Sequence, residues 1–160
     1  MAFLRDRGRF DHERGQQLAL TGEFRHNIDA KGRLIVPSRL RDELGDRVVL
    51  TTWFENCIAM WSEELFESRV AERLLSERNS NPRLRSSARR LASSAHTDGI
   101  DGQGRISVPP KLREGAGIER EVVVVGALDH AEIWDPANWR DELARTAEGG
   151  FEELAKELDF

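Results

Sequence analysis

The chain carries a single cysteine, Cys57, in 160 residues. A lone thiol closes no internal disulfide and makes no paired metal-ligand motif. Its neighbours are apolar, so Cys57 is expected as a small buried hydrophobe, not a nucleophile. Long apolar runs are also missing, and no stretch nears the roughly 18 residues that cross a bilayer. The opening MAFLRDRGRF lacks the apolar run of a secretory signal. The expectation is a cytoplasmic protein without a membrane partner. The four histidines, His12, His26, His96 and His130, show neither HxxxH nor HExxH spacing. No GxSxG element occurs, and GQGR lacks both the third glycine of a dinucleotide loop and the GK[ST] of a P-loop. DGIDGQGR fails the calcium-loop pattern, because Ile100 and Gly102 stand where side-chain oxygens are required. The chain is therefore expected to be no enzyme and to use no metal, cofactor or small-molecule substrate.

What is present is charge, unevenly placed. Acidic residues outnumber basic ones 29 to 24, for a formal net charge of −5 at pH 7. That total argues against nucleic acid, but the distribution reverses the argument. Residues 141–160 hold seven acidic residues against Arg145 and Lys156, which accounts for the whole excess. Residues 25–41 hold Arg25, Lys31, Arg33, Arg39 and Arg41 against Asp29 alone. A second cluster, Arg83, Arg85, Arg89 and Arg90, is unopposed and is expected as a solvated helix face. Local charge decides where an anion binds.

The strongest signal is an internal repeat. IDAKGRLIVPSRLR (28–41) returns 72 residues later as IDGQGRISVPPKLR (100–113), with eight of fourteen positions identical. The order of elements around the two copies is the same. Residues 1–20 are mixed in charge and without periodicity, and are expected as a disordered extension. The first unit is expected over 21–78: a short strand, a turn, a second strand, a short helix ended by Gly45, two strands, and a helix over about 62–77 whose apolar face runs through Leu65, Phe66, Val70, Leu74 and Leu75. NSNP opens a linker helix over 79–95. The second unit, 96–146, repeats the first, with Trp134 matching Trp61 and Trp139 matching Phe66. Residues 147–160 form an acidic tail helix. Two copies are too few for a solenoid, and each is too small to bury its own apolar face. An α+β fold follows, with the units related by a pseudo-twofold axis around one shared core.

The repeated loop has a physical logic. Leu34 and Val36, like Ile106 and Val108, point to one side of the strand after the turn; Arg33 and Arg105 point to the other. Asp29 and Asp101 stand where a carboxylate accepts backbone N–H groups within a turn. Gly32 and Gly104 supply a position that needs positive φ. The aspartate fixes the turn, the glycine allows it, and the arginine is presented by it. Turn chemistry alone does not require arginine at both exits. A guanidinium held on a rigid turn suits a phosphate or a guanine edge, because its fork donates two parallel hydrogen bonds. The pseudo-twofold would bring both arginines to one face. Lys31 and Arg25 add cations to the first loop, while Gln103 replaces the lysine in the second.

The paired DxxxR turns, Asp29 to Arg33 and Asp101 to Arg105, each followed by VP and LR, resemble the MraZ family of bacterial transcriptional regulators, built from tandem SpoVT-AbrB-like units. The likeness runs from about Gly22 to Thr146. It implies a shared β-barrel-like core with helices packed outside, and DNA contact through Arg33 and Arg105 with Lys31 beside the first. It also implies a nucleoid-associated, ring-shaped homo-oligomer that binds repeated sites upstream of the division and cell-wall gene cluster, its own gene included, and generally represses it. The alternative is an AbrB-like architectural protein of the nucleoid with little sequence preference.

Overall fold

The computed structural model describes residues 19–160. The disordered extension expected over 1–20 lies outside the described residues, except for Ala19 and Leu20. Leu20 is buried and bridged to Leu128 through a pair of backbone hydrogen bonds, so this residue belongs to the fold.

In chain order the strands are β1 (Glu23–Asn27), β2 (Arg33–Ile35), β3 (Arg47–Thr52), β4 (Ile58–Ser62), β5 (His96–Gly99), β6 (Arg105–Ser107), β7 (Glu121–Gly126) and β8 (Ala131–Trp134). The short helix α1 (Ser38–Leu44) follows β2, and α4 (Pro110–Gly115) follows β6. Helix α2 runs from Glu63–Leu65 through a π-helical turn, Phe66–Ala71, into Glu72–Glu77. The rest are α3 (Pro82–Ser94), α5 (Pro136–Thr146) and α6 (Gly150–Leu158). The fold is α+β, with antiparallel pairing throughout.

Strand pairing shows how the repeat is used. The six-stranded sheet has the order β1-β7-β8-β4-β3-β5, and β2 pairs with β6 in a separate ribbon. Exchanging each strand of the first unit for its counterpart four strands later gives the same order read from the opposite edge. Each unit thus lends its first strand to the other: β1 pairs with β7, and β5 with β3. Neither unit owns a complete sheet. No ladder joins sheet and ribbon among the described residues, so strand pairing leaves the sheet's edges open, and the ribbon meets the sheet through the core that Leu34 and Ile106 enter.

Alternation along the strands sorts side chains to two faces. Val48, Leu50, Ile58, Met60, Val122, Val124 and Ile133 enter the main core with Leu34 and Ile106 of the ribbon and Leu40, Leu44 and Leu112 of α1 and α4. The opposite face carries Ala59 and Trp61 under Leu65 and Val70 of α2, and Val123, Val125 and Trp134 under Trp139 of α5. Leu65 and Val70 are five residues apart and both buried, a spacing that an i→i+5 turn aligns and a regular α-helix does not. Leu75, expected on that buried face, is instead 57% exposed, because it stands roughly 100° round the helix from Leu74, which packs against the cluster. Cys57 is buried, and burial pushes its thiol up, away from nucleophilic use.

Candidate nucleic-acid interface

Each repeated loop closes in the same way. Asp29 N donates to Arg33 O and Gly32 N to Asp29 O, both at 2.9 Å. Asp101, Arg105 and Gly104 repeat the two bonds at the same distances. Gly32 (φ +77°) and Gly104 (φ +79°) occupy the left-handed region that a side chain disfavours. The carboxylate then does two jobs. Asp29 Oδ1 accepts from Lys31 N and Arg33 N at 2.9 Å each, which fixes the turn. Asp29 Oδ2 accepts from Arg33 Nε at 2.9 Å, which fixes the guanidinium. Asp101 does the same with Gln103 N, Arg105 N and Arg105 Nε, again at 2.9 Å.

These bonds, the Arg33 and Arg105 backbone N–H groups first among them, hold both carboxyls below the ordinary carboxylate range. A depressed pKa contributes order above the unfolded value, lost as pH falls through the folded one. Both turns are therefore intact at neutral pH. An exposed ion pair adds little stability. Its effect here is orientation: Nε is occupied, and the Nη groups of Arg33 and Arg105 make no other hydrogen bond or ion pair among the described residues.

The ribbon brings the two loops together. Leu34 pairs with Ile106, Arg33 with Ser107, and Ile35 with Arg105. Val36 N to Gly104 O (2.8 Å) and Val108 N to Gly32 O (2.9 Å) extend the ladder into both turns. Leu34 and Ile106 are buried, so Arg33, Ile35, Arg105 and Ser107 share the outer face. The arginines sit diagonally, their backbones roughly 7–8 Å apart. Lys31 and Gln103 stand exposed at the loop tips. Arg25 lies on β1 and not on the ribbon, with its guanidinium 3.7 Å from Glu23.

Three residues were not singled out by sequence reasoning. Arg41 lies over Gly104 of the other unit's loop, and Arg113 lies over Gly32, where an added Cβ would stand 3.2 Å from its Nη2. Arg113 Nε also donates to Val108 O at 3.0 Å. The signal was the arginine repeated in each LR, whose crossing to the opposite loop depends on tertiary pairing. Asp98 accepts from Ser107 N at 2.7 Å, tying β5 to β6. Its counterpart in the first unit is His26, so nothing in the repeat marked it.

The comparisons with known proteins agree with this pseudo-symmetry. The model of the family described as "MraZ protein, putative antitoxin-like" matches twice, over residues 19–89 and 91–159. The chain belongs to the MraZ family. A relative named transcriptional regulator MraZ from Desulforamulus reducens is 41% identical over 137 residues, 86% of this chain and 95% of that protein. One of the same name from Thermoanaerobacter pseudethanolicus is 39% identical over 140 residues, 88% of this chain and 96% of its own length. A third, from a Nocardioides species, is 39% identical over 133 residues, 83% of this chain and 91% of its own. Both DxxxR turns fall inside the matched spans, one in each.

Proposed function

We propose that this MraZ-family chain is a DNA-binding transcriptional regulator that contacts its sites through Arg33 and Arg105. The observation that carries the reading is the pair of Asp-held guanidinium groups on one outer face of the β2–β6 ribbon. Their orientation is set before any ligand arrives, so little is lost in ordering them on binding. A two-stranded ribbon fits the major groove, about 12 Å wide, and arginine is the commonest donor to guanine O6 and N7. Ile35, 48% exposed between the arginines, offers an apolar contact for a thymine methyl. Lys31 supplies a phosphate contact at the loop tip. The relatives' shared name, transcriptional regulator, supports the same reading. The resemblance extends it to repeated sites upstream of the division and cell-wall gene cluster, repression of that cluster and of its own gene, and a ring-shaped homo-oligomer in the nucleoid.

Fluorescence anisotropy with the chain's own upstream region and an unrelated duplex tests the proposal. Removing one such base interaction costs about 1–3 kcal/mol. Arg33→Ala and Arg105→Ala should weaken binding to the upstream DNA and leave circular dichroism unchanged. Wild-type affinity in the folded double variant would remove the loops from the interface. Genome-wide immunoprecipitation separates a regulator from an architectural protein: a few sharp promoter peaks support the first, and even coverage the second.

A further inference from the structure

Helix α3 carries four arginines and no acid, and none of its thirteen residues is buried. Between it and the second half of α2 runs an open groove of about 480 Å³. Leu74 and Leu75 line one wall, Ala88 and Leu91 the other. Arg78, Arg85 and Arg89 form the rim. No described residue fills it.

At the other end of the chain lies the complementary shape. In α6, Phe151, Leu154 and Leu158 recur at spacings of three and four, which places them on one face. They are 81%, 44% and 58% exposed. Glu152, Glu153 and Glu157 flank this stripe. A helix of nine residues is too short to be stable alone in water and depends on packing of its apolar face. Within the described chain, that face has nothing to pack on.

We infer that α6 of one copy docks in the α2–α3 groove of a second copy of this chain. Phe151, Leu154 and Leu158 enter the groove, and Glu153 and Glu157 face Arg85 and Arg89. The lengths agree: α6 spans about 14 Å, and α2 from Phe66 to Arg78 about 20 Å. Helix and groove are different surfaces, so the contact is head-to-tail and leaves a free groove on one copy and a free helix on the other. Such a contact propagates, and it closes into a ring where the rotation permits. The inference rests on the self-association proposed above and supplies its contact.

Light scattering on size-fractionated full-length chain tests it. Arg85→Glu/Arg89→Glu and Glu153→Arg/Glu157→Arg should each fall from the wild-type mass to that of one chain, with unchanged circular dichroism. Mixed together they should recover the wild-type mass, because each supplies the surface the other has reversed. Leu154→Glu should dissociate the wild-type assembly; mixed with Arg85→Glu/Arg89→Glu, whose intact helix fits its intact groove, it should stop at pairs, and mixed with Glu153→Arg/Glu157→Arg it should remain as one chain. Reversed variants that keep the wild-type mass overturn the docking and leave ring formation through another surface standing. Dissociation without recovery on mixing overturns the pairing of these two surfaces. A wild-type chain that runs as one copy at every concentration overturns the docking and the ring together, while the DNA-contact reading stands or falls separately on the arginine variants.

Discussion

In the first turn, three donors converge on the Asp29 carboxylate at 2.9 Å. In the second, the same three converge on Asp101 at the same distance. A few residues away the units have diverged. The helix after β4 is broken by a π turn, while α5 is regular. Asp98 braces β6, and no equivalent brace from His26 reaches β2. Lys31 at one tip faces Gln103 at the other, and Ile35 pairs with Arg105 where Ser107 pairs with Arg33. Sharing one core does not require two identical turns, since the flanking helices and strands tolerate difference. What stays constant is the device that orients an arginine.

The largest effect should come from removing that device's product on both sides. Arg33→Ala/Arg105→Ala deletes two base interactions at about 1–3 kcal/mol each, and several subunits on one DNA multiply the effect. The single variants sharpen the comparison. Arg33→Ala should cost more than Arg105→Ala at one salt concentration, because the first loop keeps Lys31 beside it. The reverse order would mean that the second loop leads.

Next come the turn glycines, read by urea denaturation. Both have positive φ, so alanine at either costs about 1–2 kcal/mol in backbone strain. They differ in what lies above them. A methyl at Gly104 would overlap the Arg41 guanidinium, whereas one at Gly32 stands 3.2 Å from Arg113 Nη2. Gly104→Ala should therefore lower the midpoint further than Gly32→Ala. Equal midpoints would show that Arg41 moves aside freely and that the loops are equivalent in support as well as geometry.

A smaller effect isolates the pin from the turn. In Asp29→Asn the remaining oxygen can still accept from Lys31 N and Arg33 N. The amide nitrogen, however, replaces Oδ2 and cannot accept from Arg33 Nε. The turn should survive and the guanidinium should be released, so binding should weaken, though less than in Arg33→Ala. Asp101→Asn should behave alike in the second loop. Full affinity in both asparagine variants would show that the ion pair contributes nothing to presentation.

Much of this was legible in the sequence, for local reasons. RVVLTTW and EVVVVGAL are β-branched runs, Gly45 ends α1, and the glycine of each loop demanded positive φ. The exchange of first strands was not legible, because alternation fixes which face a residue takes and not which strand it pairs with. The π turn was hidden for a related reason: Leu65 and Val70 fit no α-helical stripe. The pin was missed because Asp29 and Arg33 become neighbours only once the turn closes. The crossing of Arg41 and Arg113 is likewise a product of the ribbon, which sets each helix beside the other unit's loop.

That crossing bears on the smallest prediction. Counted along the sequence, Arg41 belongs to the first loop and Arg113 to the second. In the fold each lies over the other unit's glycine, and the exchange is one for one. The charge difference between the loops therefore still rests on the tip, Lys31 against Gln103. Exposed charges more than about 10 Å from a phosphate are screened at 0.1 M salt, so tip charge counts most. Removing a single cation–phosphate pairing flattens the log-log dependence of affinity on salt by about one unit. Lys31→Ala should flatten the slope by about that much per bound first loop, and Gln103→Ala should leave it unchanged. Gln103→Lys should steepen it and draw the two arginine variants toward equal cost. Anisotropy titrations from low to moderate salt, on variants of wild-type mass, measure all three. A Lys31→Ala slope equal to that of the wild type would place the tip away from the phosphates and leave the asymmetry to Ile35 and Ser107.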